Sequence, residues 1–265
     1  MKISAFKWAG IFLLIFGFIA IILTPLSKPP VKPVKVKKER LQKPLAVKGK
    51  IVIVIDDWGY HLNNLKTLSQ IKQPLTCAVL PNLKYSKTLA RELSARGCEI
   101  ILHLPMEPKE KYNLEDNTLT TGMTDEAIRQ IIQDDLSSVA LAKGVSNHMG
   151  SQVSLDKRVA ALVLEMVKSK GLYFFDSFVI QGSVFGDLAG QKGVRFAKRD
   201  IFLDNQKSFE HIRGQLLQLQ KIAAKRGYAI GIGHDREDTL LALKKILPEM
   251  EKEGYKFIYL SQVAR

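Results

Sequence analysis

The sequence predicts an α/β domain on a parallel sheet, either a barrel or a doubly wound sheet, and three observations lead there. Residues 51–55, Ile-Val-Ile-Val-Ile, form an unbroken β-branched run of the kind that a sheet covered on both faces buries. From residue 50 onward, strand and helix patterns alternate with little interruption, in about seven or eight βα units. Several of the apolar runs finish in aspartate or histidine, as strands do where a site forms at their carboxyl ends.

Short runs rich in Val, Ile and Phe mark the strands, and longer amphipathic stretches bounded by caps or glycines mark the helices. In order, these are a strand over 51–56, a helix over 62–71, a strand over 75–80 and a helix over 86–96 closed by Gly97. A strand over 98–104 precedes a helix over 124–142, for which Thr124 is the N-cap. A short strand near Val145, a helix over 155–170 ended by Gly171 and a strand over 172–175 follow. The last third offers a strand over 194–196, a helix over 209–226, a strand over 228–232, a helix over 238–251 and a strand over 257–260. No repeat or low-complexity tract divides them, so residues 50–265 read as one domain.

The chain has 265 residues and a formal net charge of +14, which suggests nucleic acid until the charge is located. Residues 1–50 hold 11 Lys/Arg against the single acid Glu39, leaving 29 basic and 25 acidic residues for the rest. The globular part is thus only mildly basic, and no aromatic-interleaved basic stripe argues for a nucleic-acid partner. Residues 8–26 carry no charge and follow Lys2 and Lys7, which predicts a signal anchor or signal peptide over 1–27. A clear small-residue cleavage site is missing, which favours the anchor, and the absence of a polar face argues against a buried soluble helix. Residues 28–49, with four prolines among lysines, read as an extended linker able to lie along anionic lipid. The lysines after the apolar stretch would hold that flank in the cytoplasm by the positive-inside rule, yet long domains translocate largely regardless of charge.

Asp56 and Asp57 end the first strand. Side chains alternate along a strand, so the two carboxylates are expected to diverge, one binding a cation and the other handling a proton. The bland alternative is a helix cap beside a solvated acid. His103, His148 and His234 each sit where a strand should finish. Asp57, His103 and His148 would then meet as one carboxylate and two imidazoles, a set that suits a catalytic zinc or related divalent ion with a position left for water. His61 reads as surface and His211 as part of a polar helix face. Glu107, four residues after His103, is a candidate substitute ligand or substrate contact, with Asn147 a second contact beside His148. Asp176 would orient a base or a ligand histidine, and Asp200 and Asp204 are candidates with a turn or cap role as the alternative. Cys77 and Cys98, the only cysteines, read as two buried thiols or one disulfide.

As a set, these residues resemble the divergent polysaccharide deacetylase family, a distant branch of the NodB-type carbohydrate esterases, over about residues 48–263. The stretches that carry the resemblance are IVIVIDDWGY at 51–60, LHLPMEP at 102–108, GVSNHMGS at 144–151, FFDS at 174–177, RDIFLDN at 199–205 and GIGH at 231–234. The resemblance implies a distorted (β/α) barrel of about seven strands and a metal-dependent hydrolase removing N-acetyl groups from a cell-envelope polysaccharide, with zinc as the ion. It assigns Asp56 as base, Asp57 and His103 as ligands, and His234 as general acid. Relatives take their second histidine from an HxxxH motif, in which this chain has Glu107, so His148 is the replacement ligand. Asp235 stands where many members have proline, and its charge is expected to raise the pKa of His234. The implied location is the periplasm, anchored to the inner membrane or released after cleavage. One rival reading is an inactive envelope protein that binds glycan or a partner. Another is a phosphoryl-transfer enzyme with Asp56 as nucleophile and magnesium at Asp57.

Overall fold

The computed structural model describes residues 47–265. The predicted membrane segment over 1–27 and most of the 28–49 linker therefore lie outside the described residues. Among the described residues, no helix is long and apolar enough to cross a membrane.

The elements run β1 (Gly49–Trp58), α1 (Leu65–Leu68), β2 (Thr76–Val79), α2 (Ser86–Ala95), β3 (Glu99–Met106), α3 (Asp125–Ser138), β4 (Gly144–Met149), α4 (Lys157–Ser169) and β5 (Tyr173–Asp176). They continue with α5 (Phe185–Lys192), β6 (Phe196–Lys198), β7 (Ile201–Phe202), α6 (Phe209–Arg226), β8 (Tyr228–His234), α7 (Glu237–Lys252) and β9 (Tyr255–Phe257). All ladders between these strands are parallel, in the order β6-β5-β4-β3-β2-β1-β8-β7, with β9 paired to the start of β1. β6 pairs with β5, and three residues beyond its end β7 is already paired with β8, so one short segment meets both edges of the sheet. The result is a curled, half-barrel α/β fold.

Alternation along the strands sorts the core into two parts. Ile51, Ile53 and Ile55 of β1 face the helices with Val79, Leu102 and Leu104. Val52 and Val54 face the concave interior with Ile101, Phe175 and Ile232. Ile258, Leu260, Val263 and Ala264 fill that interior too, and their backbone is bonded to the amino ends of strands: Ile258 N–H to the Ile51 carbonyl, Leu260 N–H to Thr76 Oγ1 and Arg265 with Phe196. The C-terminal segment thus plugs the amino end, and the carboxyl ends of β1, β3, β4 and β8 are left to form a mouth.

Most predicted elements are present, and the differences have local causes. The helix expected over 62–71 shrinks to α1 because Asn64, placed to cap it, spends its side chain on Asp235 Oδ1 at 2.8 Å. The predicted 124–142 helix ends at Ser138, with Thr124 Oγ1 accepting from Ala127 N–H as its cap. α5 has no counterpart in the prediction because Gly186 and Gly190 dilute its pattern; left-handed Gly193 closes it. The last strand stops at Phe257, and Leu260 lies in a 3-10 turn. Cys77 and Cys98 are both free thiols, Cys77 buried and Cys98 half-buried.

Candidate metal centre

The site is assembled by strand register. β1 and β8 pair Asp56 with His234, while β3 and β4 pair His103 with Ser146 and Pro105 with His148. Asp56, His103, Ser146 and His148 fall on the alternation that faces the interior. Asp57 should face the other way, and it does not. Its backbone is left-handed (φ 67°), and the β1–β2 ladder slips between Ile55 and Trp58. Aspartate tolerates this conformation at a cost of roughly 1 kcal/mol. The expected divergence of the two carboxylates is therefore corrected: the bulge turns Asp57 into the mouth beside Asp56. The chain leaves the site after His148 through left-handed Met149 and Gly150, and a Cβ on Gly150 would come within 2.8 Å of Met106 Cβ.

Asp57 Oδ1 stands 3.3 Å from His103 Nε2 and 3.1 Å from His148 Nδ1, and the three donors lie within 4.8 Å of one another. Donors about 2.0–2.1 Å from a tetrahedral ion stand about 3.3 Å apart, so the residues present fit a divalent cation. Two nitrogens and one oxygen favour a zinc-class ion over magnesium, which prefers an oxygen shell. The ligand rings are buried and held from behind, with His103 Nδ1 2.8 Å from Ser146 Oγ. His148 Nε2 is 3.3 Å from Glu115 Oε1, which also accepts from the Tyr60 hydroxyl.

The electrostatics divide the carboxylates by role. Burial pushes Asp57 up, but hydrogen bonds from His103 and His148 outweigh it and hold its carboxyl far below the usual range. Burial dominates at Asp56 and raises its pKa; its Oδ1 is buried with no hydrogen-bond partner among the described residues, and Oδ2 lies 3.6 Å from His103 Nε2. His148 is depressed by burial but raised further by Asp57 and Glu115, to about 9. Glu115 is drawn down to about 2, chiefly by His148. At His234 burial lowers the pKa and Asp204 raises it more, for a net rise. Asp204, fully buried, accepts from His234 Nδ1 at 2.7 Å, from His234 N–H at 2.8 Å and from the Thr239 hydroxyl at 2.6 Å.

The structure therefore brings Asp56, Asp57, His103, His148, His234 and Asp204 to one mouth. It places Glu107 elsewhere: that carboxylate accepts from Thr121 N–H at 2.7 Å and the Thr121 hydroxyl at 2.9 Å, holding the base of the 107–124 loop. Asn147 is fully buried, with Oδ1 accepting from Ser177 N–H and Nδ2 donating to the Met149 carbonyl, so it ties the end of β4 to the end of β5. Asp176 is buried, accepting from Phe178 N–H and the Ser183 hydroxyl. Asp200 pairs with Arg226 and accepts from Ile230 N–H. Asp235 is a second correction. Its carboxylate turns to Asn64 and lies 3.6 Å from His61 Nδ1, so the rise at His234 comes from Asp204 instead. Sequence reasoning missed Ser146 and Glu115. Ser146 was within reach, two residues before His148 on the same strand face. Glu115 lies in a loop and leaves no such signal.

Fold and site together define a parallel α/β half-barrel carrying an Asp/His/His donor set, a second buried carboxylate beside it and a carboxylate-bound histidine at one mouth. The chain belongs to the divergent polysaccharide deacetylase family, whose sequence model matches residues 53–264. An uncharacterized protein of Haemophilus influenzae is 33% identical over 204 residues, covering 76% of this chain and 73% of the relative. The uncharacterized protein YibQ of Escherichia coli is 33% identical over 199 residues, covering 75% of this chain and 62% of the relative, less than two thirds of its length. Among solved structures, an uncharacterized protein of Agrobacterium tumefaciens superposes with a TM-score of 0.78 at 21% identity, over 82% of this chain and 89% of the other, a likeness of fold.

Proposed function

We propose that the protein is a metal-dependent hydrolase that removes N-acetyl groups from a cell-envelope polysaccharide, facing the periplasm from an N-terminal anchor or after its cleavage. Family membership supports the substrate class. One observation carries the chemistry: Asp57, His103 and His148 converge at ligand spacing beside Asp56, a buried carboxylate with an unpartnered oxygen.

A divalent ion, when bound there, lowers the pKa of water and polarises the acyl carbonyl. Asp57, His103 and His148 would hold it, with Ser146 fixing the His103 ring. Asp56, whose Oδ2 lies 3.6 Å from His103 Nε2 and whose pKa burial raises, accepts the proton of the attacking water. His234, kept protonated by Asp204 at Nδ1, presents Nε2 to donate a proton to the leaving amine. The water oxygen bonds to the acyl carbon first; the amide C–N bond then breaks, its electron pair leaving on the nitrogen that His234 protonates, and the products are acetate and an amino sugar.

The test uses the full-length protein, wild type and with His103→Ala or His148→Ala. Metal content and acetate release from peptidoglycan and chito-oligosaccharides are measured on each. One ion per wild-type chain, lost in both variants together with acetate release, is the expected result. Metal content unchanged in both variants contradicts the ligand assignment. Metal bound without acetate from any N-acetylated glycan points instead to a glycan-binding protein of the same fold.

A further inference from the structure

We infer that Glu115, delivered by the loop between β3 and α3 and steadied by Tyr60, is the positioning residue that fixes the metal-binding face of His148. This inference rests on the metal site proposed above. His148 turns Nδ1 toward Asp57, at 3.1 Å, so Nδ1 is the nitrogen that faces the donor cluster. The opposite nitrogen, Nε2, is buried and makes no aligned hydrogen bond among the described residues. Glu115 Oε1, at 3.3 Å, is among the described residues the one carboxylate oxygen within ion-pair range of it. A neutral imidazole offers its lone pair at Nδ1 only when the proton sits on Nε2, and a carboxylate facing Nε2 selects that tautomer.

Two further features show the contact to be built. Glu115 is mostly buried, with 12% of its side chain exposed, although it belongs to a loop whose Tyr112 and Leu114 are exposed. Its Oε1 accepts the Tyr60 hydroxyl from beyond the end of β1, and its carbonyl accepts the Thr118 hydroxyl at 2.7 Å. The second feature is the parallel at the other two histidines. His103 has Ser146 behind Nδ1, and His234 has Asp204 behind Nδ1. His103, His148 and His234 thus each have a side-chain oxygen 2.7–3.3 Å from the nitrogen turned away from the reaction. Glu115 Oε1 lies on the far side of the His148 ring from Asp57 and outside the donor set, so it acts through His148 and not as a ligand. The loop that carries it is also closed at its base by Glu107 and Thr121, giving Glu107 a supporting part in the same device.

The full-length wild type, Glu115→Ala, Glu115→Gln and Tyr60→Phe are freed of metal and titrated with zinc against a chromophoric chelator. Melting temperatures of the metal-free forms and absorption spectra of the cobalt-substituted forms are recorded alongside. Glu115→Ala should weaken zinc binding about 10–100-fold and alter the cobalt spectrum, with the metal-free melting temperature unchanged. Glu115→Gln keeps an acceptor oxygen and should recover part of the loss; Tyr60→Phe should show a smaller loss in the same direction. Zinc affinity and cobalt spectra equal to wild type in these variants overturn the inference, and should the alanine variant not fold, the other two decide it on the same terms. A wild type that binds no zinc overturns the metal reading first, and the role of Glu115 with it.

Discussion

Asp56 and Asp57 are neighbours in sequence whose surroundings drive their protons in opposite directions, and the difference traces to one residue's backbone. The left-handed turn at Asp57 brings it between two imidazoles, which lower its pKa, while Asp56 stays in the strand with one oxygen unpartnered among the described residues. The same logic sets His234. Burial lowers its pKa, and Asp204 raises it by more. Asp204→Asn therefore lowers the pKa of His234, so the alkaline limb of the kcat/KM profile should move to lower pH and kcat should fall about 10²–10⁴-fold. A profile unmoved by that substitution removes His234 from the role of acid. Much of the site was legible at this scale because polar residues on short strands stand out: Asp56, Asp57 and His234 close apolar runs, His103 interrupts one, and His148 ends a short strand. The turn of Asp57 was not legible, since it depends on a slip in the β1–β2 ladder that no local pattern announces.

Among the elements, α3 carries a burial that the site does not use. Asp135 is fully buried, bonded to Asn82 Nδ2 at 2.7 Å through Oδ1, with Oδ2 unpartnered among the described residues. Burial, partly offset by Asn82, raises its pKa to about 7. The folded state then binds more protons than the unfolded chain between the ordinary aspartate value and about 7, so this group makes stability fall as pH rises through that window. Asp135→Asn keeps the acceptor for Asn82 and removes the charge. Its melting temperature should match wild type near pH 4 and exceed it above pH 7, by the equivalent of about 1–3 kcal/mol; an advantage independent of pH contradicts the assignment. Element type was read well wherever caps and glycines bracket a periodic stretch, as in α6, predicted over 209–226 and found as Phe209–Arg226. It was read poorly where tertiary contacts take the capping side chain, as with Asn64 of α1, or where glycines thin the pattern, as in α5.

Over the whole molecule, the fold separates stability from chemistry by placing them at opposite ends of one sheet. The C-terminal segment closes the amino end, with Glu99 Oε1 gathering Thr76, Tyr173 and Ser261 around it. The carboxyl mouth is left to polar residues from β1, β3, β4 and β8. A parallel sheet followed from the alternating pattern and its curl from the family resemblance, but the short segment that meets both of its edges followed from neither. β6 and β7 are three and two residues long, below what periodicity can resolve. The positive charge that dominates the composition belongs to the first 50 residues and not to this mouth. Hydrolysis at this mouth with Asp56 as base is tested by acetate release from an N-acetylated glycan by zinc-loaded wild type and Asp56→Asn. Asp56 lies outside the donor set, so the variant should keep its zinc and lose at least about 100-fold in rate. Equal rates for the two proteins, or no acetate from the wild type at any enzyme concentration, would contradict it.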